Sequence, residues 1–297
     1  MFKDFQSDPL VKKILVLNNK YGNSLKFHKK CSTVIKEFSN PEFITNVFKQ
    51  YISNKNFLNK KWKSYEIPHL VIYENEDISI VYNIFNPTAN EGSEIAAHLI
   101  HHHQSFILSS YIMAGPGYHT IEFEKEVKYL NENNSYILKP SKSFLHKKDK
   151  VNILQENIPH LIFNVPETTI SIALWTEKKE EKFDKKYYSS THDRLSYFKK
   201  NGLYYGLSEN DFLTEVSRNI NYKDDSKIHI QSICYFLQEF GNEQRSYLSQ
   251  IISNPNISEK WRYWLNMLST NTKINVPLIK NNLNTLGNKM KIEDFNY

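Results

Sequence analysis

Sulfur chemistry is nearly absent from this sequence: its 297 residues include two cysteines, Cys31 and Cys234. That excludes a disulfide scaffold and a thiolate zinc cluster, and it fits a reducing compartment. Eight glycines and ten prolines exclude collagen-like and low-complexity chains. Arginine is scarce too, at four of 38 basic residues (Arg194, Arg218, Arg245 and Arg262). Phosphate recognition favours the planar guanidinium fork. The net charge of +6 is therefore almost all lysine, interleaved with Asp and Glu as in 177–186. It reads as a solvated surface, and no nucleic-acid partner is expected. Long apolar runs are missing. The run at 14–17 is far too short to span a bilayer, and the first ten residues carry acids and no apolar stretch. No membrane segment or leader is expected, which makes a cytoplasmic location the expectation.

What the chain does have is aromatic and aliphatic mass, with 19 Tyr, 18 Phe, 4 Trp and 40% hydrophobic residues. A chain of this size and composition buries a large core without staples. Its periodicity divides it into three zones. Residues 1–63 read as helical. Asp8-Pro9 and Asn40-Pro41 are cap-plus-proline starts, and Phe43, Ile44, Val47, Phe48, Tyr51 and Ile52 form one stripe. Residues 64–178 change period. Ile78, Ile80, Tyr82 and Ile84 alternate, and strand-like runs follow at 69–74, 105–114, 118–124, 160–164 and 168–176. Closely spaced strands without intervening helices predict an antiparallel sandwich or barrel. Gly115-Pro116-Gly117 reads as a hairpin turn. Residues 179–297 read as helical again. Ser190, Thr191 and Asp193 serve as cap material, and stripes occur at Ile230–Phe240, Tyr247–Ile252 and Trp261–Leu268. The last stripe is either hairpin core or a face for a protein partner or a second copy.

Histidine carries the chemical signal. His98, His101, His102 and His103 cluster, and His119, His146 and His160 follow. On a strand, His101 and His103 share a face while His102 points away. Two imidazoles at i and i+2 can grip one metal ion, and neutral imidazole suits Fe, Zn, Cu and Ni. His160, 57 positions beyond His103, opens another strand and is the best third ligand. Alternatives stay open: His98 with His102 on a helix, His119 as a fourth ligand, or His146.

His-x-His at 101–103, then several strands, then Pro159, His160 and Asn164, is similar to the paired metal motifs of the cupin superfamily over about 65–176. The resemblance implies an α+β chain: a cupin-like antiparallel β-barrel, or jelly roll, flanked by N- and C-terminal helical regions. The usual first-motif Glu is missing, since 104–108 read QSFIL, and Glu122 lies further on. The pattern therefore resembles a three-His cupin of the thiol-dioxygenase type. Those enzymes hold an amino-acid carboxylate with Arg near the metal, whereas here no Arg precedes Arg194.

The resemblance implies a mononuclear non-heme Fe(II) oxygenase acting on a small organic substrate and O2. His101, His103 and His160 would hold the metal; Zn, Mn or Ni are alternatives. Tyr118, His119 and Glu122 are the acid–base candidates, and Tyr111, Asn164 and Arg194 are the substrate contacts. The helical regions would wall off the pocket. Two alternatives stand beside this reading: a non-catalytic ligand-binding or protein-interaction module, and a Zn or Mn Lewis-acid isomerase or hydrolase.

Overall fold

A computed structural model of the chain describes residues 3–60, 67–87, 99–103, 106–125, 128–130, 135–156, 158–163, 165–177, 192–200, 203–207, 226–241 and 245–276. The N-terminal helices are α1 (Pro9–Tyr21), α2 (Leu25–Glu37), α3 (Pro41–Ile52) and α4 (Lys55–Leu58). Their starts follow from capping chemistry. Asp8 accepts a hydrogen bond from Leu10 N at 2.8 Å, and Asn40 accepts from Glu42 N and Phe43 N. Pro9 and Pro41 occupy the first helical turn, where no amide donor is needed.

The strands are β1 (His69–Glu74), β2 (Ile78–Phe85), β3 (Leu99–His103), β4 (Phe106–Ala114), β5 (Tyr118–Phe123), β6 (Lys128–Leu130), β7 (Ser135–Leu138), β8 (Pro140–His146), β9 (Val151–Leu154), β10 (His160–Ile162), β11 (Thr169–Glu177), β12 (His192–Lys200) and β13 (Leu203–Leu207). They form two antiparallel sheets, one ordered β1-β2-β11-β4-β9 and the other β6-β7-β13-β12-β3-β10-β5-β8. Three helices follow: α5 (Ser226–Phe240), α6 (Leu248–Ile252) and α7 (Glu259–Ser269). Among the described residues, no helix is long and apolar enough to cross a membrane.

The architecture is α+β and jelly-roll-like, with three layers. The expected jelly-roll architecture is borne out as two facing antiparallel sheets, which among the described residues are not hydrogen-bonded to one another. Alternate residues of the five-stranded sheet face opposite ways. Tyr82, Ile84, Tyr111, Ile170, Ile172 and Leu174 join the core built with the helices, while Phe85 and Ile112 pack with Tyr118 and Val165 of the other layer. With both faces covered, these strands read as near-continuous apolar runs. Both helical regions lie on the outer side of the five-stranded sheet. Phe57 of α4 meets Trp261 of α7 at 5.5 Å, and Tyr82 meets Phe236 of α5 at 5.1 Å. The described helices therefore form a single layer over that sheet and do not wall off the space between the sheets.

Two further expectations are corrected. Residues 192–200 are not a capped helix but β12, paired with β3 from His192↔His103 to Ser196↔Leu99. Asn201-Gly202 separates SYFKK from LYYGL and is a strong two-residue hairpin signal. The β12–β13 pair closes across it at Lys200↔Leu203. Gly115-Pro116-Gly117 is not a hairpin turn, because β4 and β5 belong to different sheets. It is the corner that carries the chain from one layer to the other.

Gly115 and Gly117 have φ of 83° and 88°, the region where side chains are strained. A Cβ on Gly117 would also run into the carbonyl oxygen of His146. Gly117→Ala is expected to cost about 2–3 kcal/mol in denaturant unfolding. A cost below about 0.5 kcal/mol would mean the corner is not built this way.

Candidate functional site

Register decides which side chains can meet. β10 lies between β3 and β5 in the eight-stranded sheet. His160 stands opposite His101 on one side and Glu122 on the other. The row continues to Arg194, opposite His101, and to Lys142, opposite Glu122. Directly opposed residues belong to one face of a sheet, with Cβ atoms about 5 Å apart. Arg194, His101, His160, Glu122 and Lys142 thus occupy one line across five strands. The side chains of Arg194, His101, His102 and His103 lie outside the described residues, as do His98 and Asn164 entirely.

On this face Thr120, Phe144, His146, His160 and Ile162 line the inter-sheet space, while Lys142 is exposed. His160 is 2% exposed, and its Nδ1–H donates to the Ile158 carbonyl at 3.1 Å. That bond fixes the tautomer and leaves the lone pair on Nε2. Glu122 is buried, and burial raises its carboxyl above the usual range. The Lys142 ammonium, 3.8 Å away, pulls the other way. Four residues along, Tyr118 pairs with His146 at the far end of β8. Burial pushes the Tyr118 hydroxyl up to about 12, against a hydrogen bond to Ser110.

His146 is held tightly. Its ring stacks between Tyr118 at 4.3 Å and Phe144 at 4.8 Å, and its Nδ1 lies 3.1 Å from Ser110 Oγ. Burial lowers its pKa to about 3, reinforced by nearby His160, His119 and Lys142. Its Nε2 is buried without a hydrogen-bond partner. Both His146 and His160 line a cavity of about 20 Å³ with Ser110, Tyr118, Thr120 and Asn152, together with Leu108, Phe144, Leu154 and Ile162. That volume admits one water-sized guest.

The structure therefore brings together Tyr118, Glu122 and His160 of the sequence-derived candidates. It does not bring in His119 or Tyr111. His119 faces the other side of the sheet, where its Nε2 lies 2.6 Å from Ser143 Oγ and its ring meets the edge of Phe163. Neighbouring positions on a strand project oppositely, so Tyr118 and His119 cannot share a site. Tyr111 turns to the helical core and donates to Asp149 Oδ1 at 3.3 Å; the inward positions on β4 are Leu108, Ser110 and Ile112. Ser110, Thr120 and Asn152 are not among the residues singled out in the sequence, and His146 is only an alternative ligand there. The alternation Phe144-Leu145-His146 is the signal that pairs His146 with Phe144 on one face. Among the described residues, no three His, Cys, Asp or Glu side chains are grouped to hold a metal ion, so a third such donor would have to come from His101 or His103.

No protein-family model matches the chain, and no curated protein matches it. Solved structures that resemble it include cupins. KdgF from Halomonas sp. matches at 14% identity over 37% of this chain and 80% of its own, with a TM-score of 0.24. The Cnp3 cupin domain of Schizosaccharomyces pombe matches at 15% over 37% and 64%, TM-score 0.24. An RmlC-like cupin from Shewanella frigidimarina matches at 14% over 38% and 77%, TM-score 0.23. The jelly-roll-like arrangement described above rests on the chain's own strand pairing.

Proposed function

We propose that the inward face of the eight-stranded sheet carries a metal centre of imidazole ligands, and that the chain is a mononuclear non-heme Fe(II) oxygenase of a small organic substrate. The observation that carries this reading is the register that sets His101 opposite His160 inside a buried sandwich. His101, His103 and His160 are the proposed ligands. The orphaned Nε2 of His146 shows that this interior has donor capacity the protein itself leaves unused. When bound, Fe(II) would supply O2 activation and Lewis acidity.

The chain's own residues have separable tasks. The Ile158 carbonyl holds the His160 ring in orientation through Nδ1. Glu122 stands beside His160, and burial raises its carboxyl above the usual range, which suits it to exchange a proton with the substrate. Tyr118 and Ser110 form a hydrogen-bonded pair that orients the His146 ring through Nδ1. Arg194, at the end of the row, is the proposed partner for an anionic group of the substrate.

A second reading is favoured by one observation. The described cavity, at about 20 Å³, is far below the roughly 300–1,000 Å³ of small-molecule sites. A non-catalytic metal- or ligand-binding module needs no larger space. In the C-terminal helices Trp261 and Trp264 are buried in the core, and Tyr263 is exposed, so a partner face there would centre on Tyr263.

The deciding measurement is elemental analysis of untagged protein prepared without oxygen, followed by O2 uptake with candidate substrates. One metal ion per chain is expected, with affinity at least about tenfold weaker in His160→Ala. Protein that carries no metal and has no affinity for added Fe(II) would sink the metal reading. Stoichiometric metal with no O2 uptake would leave the module.

A further inference from the structure

The formal charge of the chain is gathered in one place. Residues 9–37, the span of α1 and α2, hold seven lysines and no arginine against one carboxylate, Glu37. That is a net charge of +6, equal to the formal charge of the whole chain. The interleaving of Lys with Asp and Glu seen at 177–186 is absent from this segment.

Helical periodicity sorts the segment by face. Val11 and Ile14 of α1, with Phe27, Cys31 and Val34 of α2, turn to the core. Lys12, Lys13, Val16 and Lys20 take the complementary positions on α1 and are exposed, as are Lys26, Lys29, Lys30 and Lys36 on α2. Lys13 reaches Glu37 at 2.6 Å, which lays the first turn of α1 beside the end of α2 and makes the two stripes neighbours. Lys20 and Lys26 stand over one ring, that of Tyr21, at 5.5 and 5.0 Å. Lys36 donates to the Asp149 carbonyl at 3.1 Å and joins the face to the β8–β9 turn, where Lys147, Lys148 and Lys150 are exposed. Both nearby acids are engaged, Glu37 by Lys13 and Asp149 by the Tyr111 hydroxyl. Lys12, Lys20, Lys26, Lys29 and Lys30 have no carboxylate partner among the described residues. Like charges on adjacent helical turns repel, so the face presents a field that an outside polyanion neutralises.

Val16 decides which polyanion. At 65% it is the most exposed large apolar side chain among the described residues, and Lys12, Lys13 and Lys20 surround it on α1. An aliphatic group gains nothing against a hydrated phosphodiester backbone, but it gains at the headgroup–acyl boundary of a bilayer. The two helices present no arginine and no exposed aromatic ring, the groups that grip phosphates bidentately and stack on bases. Lysine stems can lie along an interface while their ammonium groups reach the headgroups.

We infer that the outward face of α1 and α2 docks on the surface of an anionic phospholipid bilayer, with Val16 entering the headgroup boundary and the lysines on the lipid anions. The contact lies in the plane of the surface and needs no spanning helix. It is independent of the metal reading.

The probe is phosphatidylcholine vesicles containing about one-third phosphatidylserine, sedimented with the whole chain in roughly 0.1 M salt. The expected result is binding to these vesicles, none to pure phosphatidylcholine, and release in roughly 1 M salt. Affinity should fall about 30-fold in the double variant Lys20→Ala, Lys26→Ala. It should fall about fivefold in Val16→Ser, with the salt dependence unchanged. The pair Lys227→Ala, Lys273→Ala, exposed lysines of the C-terminal region, should bind as the wild type does. Circular dichroism checks each fold, and Lys12→Ala, Lys30→Ala replaces the first pair if that variant does not fold. No binding to the anionic vesicles, equal binding to pure phosphatidylcholine, or wild-type affinity in the folded lysine or Val16 variants overturns the assignment. Tighter binding to duplex DNA or RNA at matched phosphate concentration, lost in the lysine variant and kept in Val16→Ser, overturns it and gives the face to nucleic acid.

Discussion

Between pH 6 and pH 4 the unfolding free energy of the wild-type chain is expected to fall more steeply than that of His28→Gln, by about 1.4 kcal/mol per pH unit. His28 lies in α2 and is fully buried. It bridges two strands, with Nδ1 2.7 Å from Ser109 Oγ of β4 and Nε2 2.8 Å from Thr176 Oγ1 of β11. Its other close neighbour is the edge-on ring of Phe27. Burial pushes its pKa down to about 3 from an ordinary value of 6.5. Below pH 6.5 the unfolded chain takes up a proton that the folded chain refuses, so unfolding gains with each step of acid. The full contribution of this histidine is present above pH 6.5 and is lost progressively down to about pH 3. Summed over that window, the loss is roughly 5 kcal/mol, a large share of a domain's stability.

The slope separates titration from damage. His28→Gln also loses a hydrogen bond and lowers stability at pH 7 by about 1–3 kcal/mol, but that is an offset and not a pH dependence. His146, lowered to about 3 as well, titrates in both proteins and cancels from the difference. Chemical denaturation at four or five pH values suffices. Equal slopes in the two proteins would show that His28 does not stay neutral in the folded chain.

Local signals in this sequence were reliable where chemistry stayed local. The caps at Asp8 and Asn40 and the alternation from Ile78 are written in adjacent residues, and the helices and strand follow from them. The third zone misled because Ser190, Thr191 and Asp193 are good helix caps, whereas Asn201-Gly202 marks a hairpin eight residues beyond. Parity was harder. β4 is buried on both faces, so its run of apolar residues does not reveal which set faces the second sheet. Tyr111 and Ser110 are therefore indistinguishable until the other layer is placed. Register was not legible at all. That His160 opens a strand is readable from the chain. That Glu122 stands beside it depends on two strands pairing across 38 residues. His146 stayed one alternative among several for a related reason: it ends an edge strand with Lys and Ser, and what sets it apart is the cavity beneath it.

Trp261→Ala is expected to destabilise the whole chain by about 3–5 kcal/mol, with the N-terminal helices lost in the same transition as α7. The indole is fully buried and stands 5.5 Å from Phe57, across more than 200 residues of sequence. Around it, Lys49 of α3 lies over the Tyr247 ring at 4.7 Å. Tyr82 of β2 donates to the Phe38 carbonyl at 2.6 Å while packing on Phe236 of α5. The described N-terminal and C-terminal helices therefore share one core over the five-stranded sheet. Nε1 of Trp261 has no hydrogen-bond partner, which sharpens the test. Trp261→Phe removes that unsatisfied donor and keeps most of the ring contact, so its cost should be less than half that of the alanine variant. Circular dichroism and tryptophan fluorescence should trace one coincident transition in every folded variant. Early melting of the N-terminal helices, with α5 to α7 left intact, would show that the two helical regions do not share the core that fixes the back of the sandwich.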